Sequence, residues 1–416
     1  MGLLLLCVVG LDPFGGGADR TGLDEARASG NALRQLLHLL IFGGTLLVAL
    51  TSRVRLSSLL PSPWVLVFLF WCALSVTWAL APGISARRVI LMGVVLLSLQ
   101  AQISLIGPQR ALLLLTRILI GVLLINLASI PLIEQARHLP GEDLGLDGDW
   151  RGLFLHKNQA GAVTAITVLL LLFRVRRGGG IAAPLLLALA LLFLIMTNSK
   201  TAIGLTLIAG PIALLFRLAR PSPLGRSLLI GLTIWACAFA AALIAELSGP
   251  IGDLFRDPTS FTGRMALWDS LWDLIRRDPV FGAGYGSFWN LGAESPISGL
   301  ASPDHWTART GQGHNGYLDL LVTVGVPGLL FALAGFLIGP LRAIGPLSRI
   351  GSPLAPLLLG TILLFFGANQ MESFLAQGDA GFWVLFLAIS RIGVSASRPL
   401  PDPAPALATA SPLWSP

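Results

Sequence analysis

Apolar positions in this chain fall in long blocks, near 1–10, 35–51, 62–81, 89–106, 111–133, 159–173, 181–197, 201–216, 227–246, 316–340, 353–370 and 381–395. A helix rises about 1.5 Å per residue and needs about 20 apolar residues to cross a hydrocarbon layer of ~30 Å. The pattern therefore predicts an all-α, polytopic transmembrane bundle of about 12 helices. The first block, "MGLLLLCVVG", is too short to cross and lacks the charged flank of a cleavable signal. It reads as a clipped or partly re-entrant helix.

The connections are short except for 134–158 and 247–315. Within the longer one, Leu267, Leu271, Leu274 and Ile275, with Trp268 and Trp272, recur at spacings of three and four. That stripe predicts an amphipathic helix lying along the membrane face, with aromatic rings at headgroup level. No internal repeat is visible, so residues 1–396 read as a single transmembrane domain. The Pro/Ala-rich tail 397–416 reads as disordered.

Composition narrows the class. The chain is 54% hydrophobic and 12% charged, with a mean hydropathy of +0.79; a soluble domain carries about twice that charge. A soluble enzyme with an anchor is excluded. The net charge of +7 suggests nucleic acid only until the arginines are located, because they sit in short inter-helix loops. Arg53, Arg55, Arg110, Arg174, Arg176, Arg177, Arg217, Arg220, Arg226, Arg342 and Arg349 occupy one set of alternate loops, which holds no acid before the tail. Asp143, Asp147, Asp149, Asp253, Asp257 and Asp278 lie in the other. The positive-inside rule makes the first set cytoplasmic, so 134–158 and 247–315 face outward. Arg87, Arg88, Arg276 and Arg277 run against this trend. Cys7, Cys72 and Cys237 all fall in apolar blocks, which indicates neither a disulfide framework nor a metal site.

Charged groups deep in a bilayer are expensive and usually mark function. Here the helix centres are almost free of them, which argues against a proton-coupled transporter. Polar chemistry gathers instead at the outer helix ends. In "DWRGLFLHKNQAG", Arg151, His156, Lys157 and Asn158 precede a helix whose free N–H groups would seat a phosphate; the same cations also suit an interfacial belt that fixes helix depth. Lys157 and Lys200 are the two lysines of the chain, and Lys200 lies in the external turn "MTNSKTAIG". Arg264 opens the amphipathic stripe, either as an anion ligand or as a cap. His314, in "GQGHNGYLDLLVTVGVPGLLF", stands just before a helix, where an imidazole with an ordinary pKa near ~6.5 can take a proton. His138, His156 and His305 are open alternatives as the base.

Together these stretches resemble the O-antigen ligase and exopolysaccharide polymerase superfamily. The carrying pattern is His314, Asn315, nine residues, then Gly325 and Gly328, with "GRMALWDSLWDLIRRDPVFGAGYGSFW" upstream. "RGLFLHKNQAG", "SKTA" and "ESFLAQGDAGFWVLF" extend the resemblance over about 150–390 and look closest to the polymerase branch. Many ligases have Arg where this chain has Lys200, which still binds phosphate but as a point charge.

The resemblance implies a glycosyltransferase of the bacterial cytoplasmic membrane acting on polyprenyl-diphosphate-linked glycan at the outer face. The acceptor is another glycan or a lipid A core, membrane lipids are contacted, and other polysaccharide-assembly proteins are expected partners. His314 is the expected general base. Arg264, Lys200, Arg151, Lys157, Asn158, Asn315, Tyr317 and Glu372 are the expected substrate-binding residues, Glu372 through the C-terminal motif. No metal, cofactor or nucleic acid is expected. Asn315 and Tyr317 could equally cap or anchor the helix, and Gly325 and Gly328 read as close-packing positions. A ligase, a solute or lipid transporter and a non-catalytic scaffold of an export complex are the competing readings.

Overall fold

The computed structural model describes residues 2–15, 31–52, 59–140, 142, 146–175, 180–218, 264–291, 295–297 and 310–398. The expected segment at 227–246, most of the tail, Gly263, Cys237 and His305 lie outside the described residues. The helices are α1 (Gly2–Val8), α2 (Ala32–Thr51), α3 (Pro63–Leu74), α4 (Pro82–Ile106), α5 (Pro108–Leu132), α6 (Lys157–Val175), α7 (Ala182–Met196), α8 (Lys200–Leu218), α9 (Arg264–Arg277), α10 (Gly316–Leu333), α11 (Gly339–Arg349), α12 (Leu354–Ala368) and α13 (Gly381–Ala396). Their starts are locally encoded. Asn31 and Ser62 accept backbone N–H bonds as N-caps, and Pro63, Pro82 and Pro108 occupy first positions where a missing N–H does no harm.

Among the described residues, α2, α4, α5, α6 and the α10–α11 rod are long and apolar enough to cross a membrane, and five shorter apolar helices stand with them. The expected polytopic helical bundle is what the chain forms, and its composition makes it a multi-pass membrane protein. α13 is the centre, touching α1, α4, α5, α6, α11 and α12. Trp383, Val384, Leu385 and Phe386 are fully buried there. Phe386 stacks on Phe365 of α12 at 4.1 Å between centroids, and Trp383 meets Phe336 edge-on at 4.7 Å. Seven-residue α1 packs on α13 where Gly381 leaves no room for a Cβ beside Cys7 and Val8.

Two elements differ from the sequence pattern. The block expected as one helix at 316–340 runs on to Arg349 through a π turn at Ala334–Ile338, and it breaks at Gly325, whose φ of 66° and ψ of −174° are not helical. The cause is tertiary. Residues 279–283 press against the break, with Val326 N donating to Pro279 O at 2.8 Å and Ala283 N to Val322 O at 2.9 Å. A Cβ on Gly325 would collide with the Val280 carbonyl, so Gly325 admits a crossing loop rather than simply allowing two helices to pack. Amphipathic α9 is present, but its stripe is spent on protein. Leu267, Leu271 and Ile275 bury against Leu318, Leu321 and Val322 of α10, and Trp272 remains exposed.

Candidate active site

The opening of α10 is held by a set of short-range bonds. Asn315 is its N-cap, accepting from Tyr317 N at 3.0 Å and Leu318 N at 3.2 Å. Its own N–H donates to Ser373 Oγ, and Gly316 N donates to Asn369 O, so the turn after α12 is stitched to the start of α10. Tyr317 donates its hydroxyl to Phe366 O at 2.7 Å. Both residues therefore anchor the helix.

One residue earlier, His314 adopts a left-handed φ of 50°. Such a conformation is strained for a residue with a Cβ and persists only where its surroundings fix it. Here Asp319, one turn inside α10, accepts from Gly313 N at 2.9 Å and Trp289 Nε1 at 3.0 Å, while Trp268 Nε1 donates to Gly313 O at 2.8 Å. A Cβ on Gly313 would strike Asp319 and Leu271, so that position has no space for a side chain.

Glu372, in the turn between α12 and α13, gathers the rest. Its Oε1 accepts from Asn158 Nδ2 at 2.6 Å and from Arg264 Nη2 at 3.0 Å, and its Oε2 stands 3.3 Å from His314 Nδ1. Arg264 Nη1 donates to Met371 O. The Glu372 side chain is 8% exposed. Burial pushes its carboxyl up, but the hydrogen bond and charge of His314, with the charges of Arg264 and His156, outweigh it and hold the group below the usual carboxylate range. Asn158 continues the network, accepting from Ser199 Oγ at 3.2 Å, beside Lys200 at the start of α8. Four segments far apart in sequence thus meet at one carboxylate.

Other expected cations are engaged elsewhere. The Arg151 side chain is 1% exposed and bonds both oxygens of Glu142, at 2.9 and 3.2 Å, and Gln135 O through Nε. It closes the 134–156 loop on itself and is absent from the wall of the cavity described below. Lys157 Nζ lies 2.6 Å from Asp149 Oδ2. The start of α6, expected to offer free N–H groups, is already satisfied: Lys157 N donates to His138 Nε2 and Asn158 N to His156 Nδ1. Lys200 is exposed.

A cavity of about 690 Å³ opens beside the Glu372 network. His314, Glu372, Asn158, His156 and Gln312 face it from one side. Arg34, from the first turn of α2, and Arg87 and Arg88, from the second turn of α4, also line it and were not among the expected site residues. The available signal was the breach of the charge trend by Arg87 and Arg88. Among the described residues no group of three or more His, Cys, Asp or Glu is placed to hold a metal ion.

At the helix ends of an apolar bundle, a cavity thus lies beside a histidine, an arginine and a carboxylate fixed to one another, with His314 and Glu372 in its wall and Arg264 behind Glu372. Residues 185–333 match the family model described as O-antigen ligase. That span includes Lys200, Arg264, His314, Asn315 and Tyr317, and the match bears out the resemblance to the O-antigen ligase and polymerase superfamily. No curated protein matches the chain. The protein is a multi-pass membrane protein in which residues 185–333 are similar to the O-antigen ligase family.

Proposed function

We propose that the protein is a glycosyltransferase that polymerises or ligates glycan carried on a polyprenyl diphosphate, at the outer face of the bacterial cytoplasmic membrane. The observation that carries this reading is the convergence of His314, Arg264 and Asn158 on Glu372, with Glu372, His314 and Asn158 lining the cavity. The ionised Glu372 accepts Nδ1–H of His314, which leaves Nε2 as the proton acceptor. Nε2 takes the proton of an acceptor hydroxyl as its oxygen attacks the anomeric carbon of the donor. The bond from that carbon to the phosphate oxygen breaks, and the diphosphate leaves with the electron pair.

Arg264 retains N–H donors beyond those used on Met371 and Glu372, and with Lys200 it would offset the charge that develops on the leaving group. The arginine asymmetry of the loops supports the outward placement. The distribution of motifs supports exopolysaccharide or O-antigen assembly, with another lipid-linked glycan or a lipid A core as acceptor. The test is reconstitution. Purified protein in lipid nanodiscs, given a polyprenyl-diphosphate oligosaccharide and an acceptor glycan, should lengthen the acceptor and release polyprenyl diphosphate. Donor and acceptor recovered unchanged would sink the proposal.

A further inference from the structure

Asp319 enters none of the steps above, yet it is buried in the first turn of α10, at 3% exposure. An acid at that end of a helix gains from the dipole while standing in water, and burial costs it solvation. Asp319 is not used as a cap. Asn315 fills that role, and the Asn315 N–H goes to Ser373 Oγ rather than to an acid inside the helix. Asp319 reaches back beyond the cap. Its Oδ1 accepts both Gly313 N at 2.9 Å and Trp289 Nε1 at 3.0 Å.

That reach ends on the residue leading into His314. Gly313 is gripped on both sides, its N–H by Asp319 and its carbonyl by Trp268 Nε1 at 2.8 Å. Beyond His314, Asn315 N is held by Ser373 Oγ at 3.1 Å. A φ of 50° is unfavourable for a histidine, and a released backbone would swing the imidazole off Glu372. The grip is set in packed side chains: Trp289 is buried and Trp268 half-buried in the apolar cluster between α9 and α10. Supporting groups fixed in this way hold a reactive side chain to its geometry.

We infer that Asp319 is a positioning residue for His314, acting through the two hydrogen bonds on its Oδ1, which lock Gly313 and so aim the imidazole at Glu372 and the cavity. The inference rests on the glycosyl-transfer reading only where turnover is measured; the placement of His314 stands on the bonds themselves. Because both bonds fall on one oxygen, the amide of D319N can accept them, whereas D319A cannot.

Carbethoxylation of the purified full chain by diethyl pyrocarbonate, resolved for each histidine by mass spectrometry, reads the placement without turnover. His314 should react severalfold faster in D319A than in wild type and near the wild-type rate in D319N, with His138 unchanged in both. W268F removes the other grip on Gly313 and leaves the carboxylate in place, so it should also speed His314; if D319A fails to fold, W268F decides alone. A wild-type rate at His314 in folded D319A, or a fast rate in D319N, would overturn the positioning role. In glycan transfer, a displaced catalytic group costs about 10²-fold, so D319A should lose about that much in kcat with donor KM unchanged, and D319N should recover most of it. In an H314Q background D319A should cost little more, because it acts through the imidazole; a full further loss there would make Asp319 merely structural. A protein that transfers no glycan but shows the faster His314 in D319A keeps the positioning role and loses the proposed function.

Discussion

Nδ1 of His314 lies 3.3 Å from Oε2 of Glu372, although 58 residues separate them in the chain. The approach is built by backbone stitching. Asn369 accepts Phe374 N and Leu375 N through its side chain, and its carbonyl accepts Gly316 N, so the turn carrying Glu372 is tied to the start of α10. A histidine in a left-handed conformation thereby keeps a fixed azimuth toward the cavity.

This pairing has a consequence for stability against pH. Glu372 is held below the ordinary carboxylate range in the folded state, so the unfolded chain binds its proton at a higher pH. Its contribution is fully present above the ordinary glutamate value of about 4.3 and is lost as pH falls through the depressed folded value. Thermal unfolding between pH 6 and pH 3 should fall more steeply for the wild type than for Glu372→Gln, which starts lower at pH 6. Parallel curves would show that Glu372 is not the buried hub described here.

The break in α10 should be intolerant of a side chain. Gly325→Ala places a Cβ against the Val280 carbonyl at a φ of 66° and ψ of −174°, a backbone region essentially confined to glycine, where an L-residue also costs about 1–3 kcal/mol. Gly339, in the same rod, has open space around it. Fluorescence-detected size-exclusion of heated samples should show Gly325→Ala melting well below wild type and Gly339→Ala close to it. Equal melting would contradict the fit of the 279–283 crossing.

The leaving-group cations differ in what they must supply. Arg264→Ala should reduce donor turnover by about 10²–10³, the range found on removing one preorganised donor from a developing anion. Lys200→Arg should keep most activity, because an exposed point charge is what that position offers, whereas Lys200→Ala should lose it. Initial rates at varied donor concentration decide the matter. Wild-type turnover in Arg264→Ala would end its leaving-group role.

Much of this architecture is legible in the residue pattern, and the exceptions share one physical cause. Block length and the three-and-four spacing of Leu267, Leu271 and Ile275 locate helices because those signals are local. The motif around His314 and the motif at Glu372 are also visible, but their meeting is not, since it depends on a turn folding back over α10. Arg151 and Lys157 look available in sequence. Only the closed loop shows that Glu142 and Asp149 take them, at 2.9 and 2.6 Å. Gly325 reads as a packing glycine until the crossing segment at 279–283 is seen, and the pattern of α9 cannot say whether lipid or α10 covers its stripe.

The most direct measurement is the rate of glycan transfer by His314→Gln in the purified system. The amide keeps hydrogen bonding but cannot carry the proton, and removal of a general base costs about 10²–10⁴ in rate. The account predicts a fall of that size at saturating donor and acceptor, with donor binding unchanged. Transfer at the wild-type rate by His314→Gln would contradict it and move the base to another residue of the cavity.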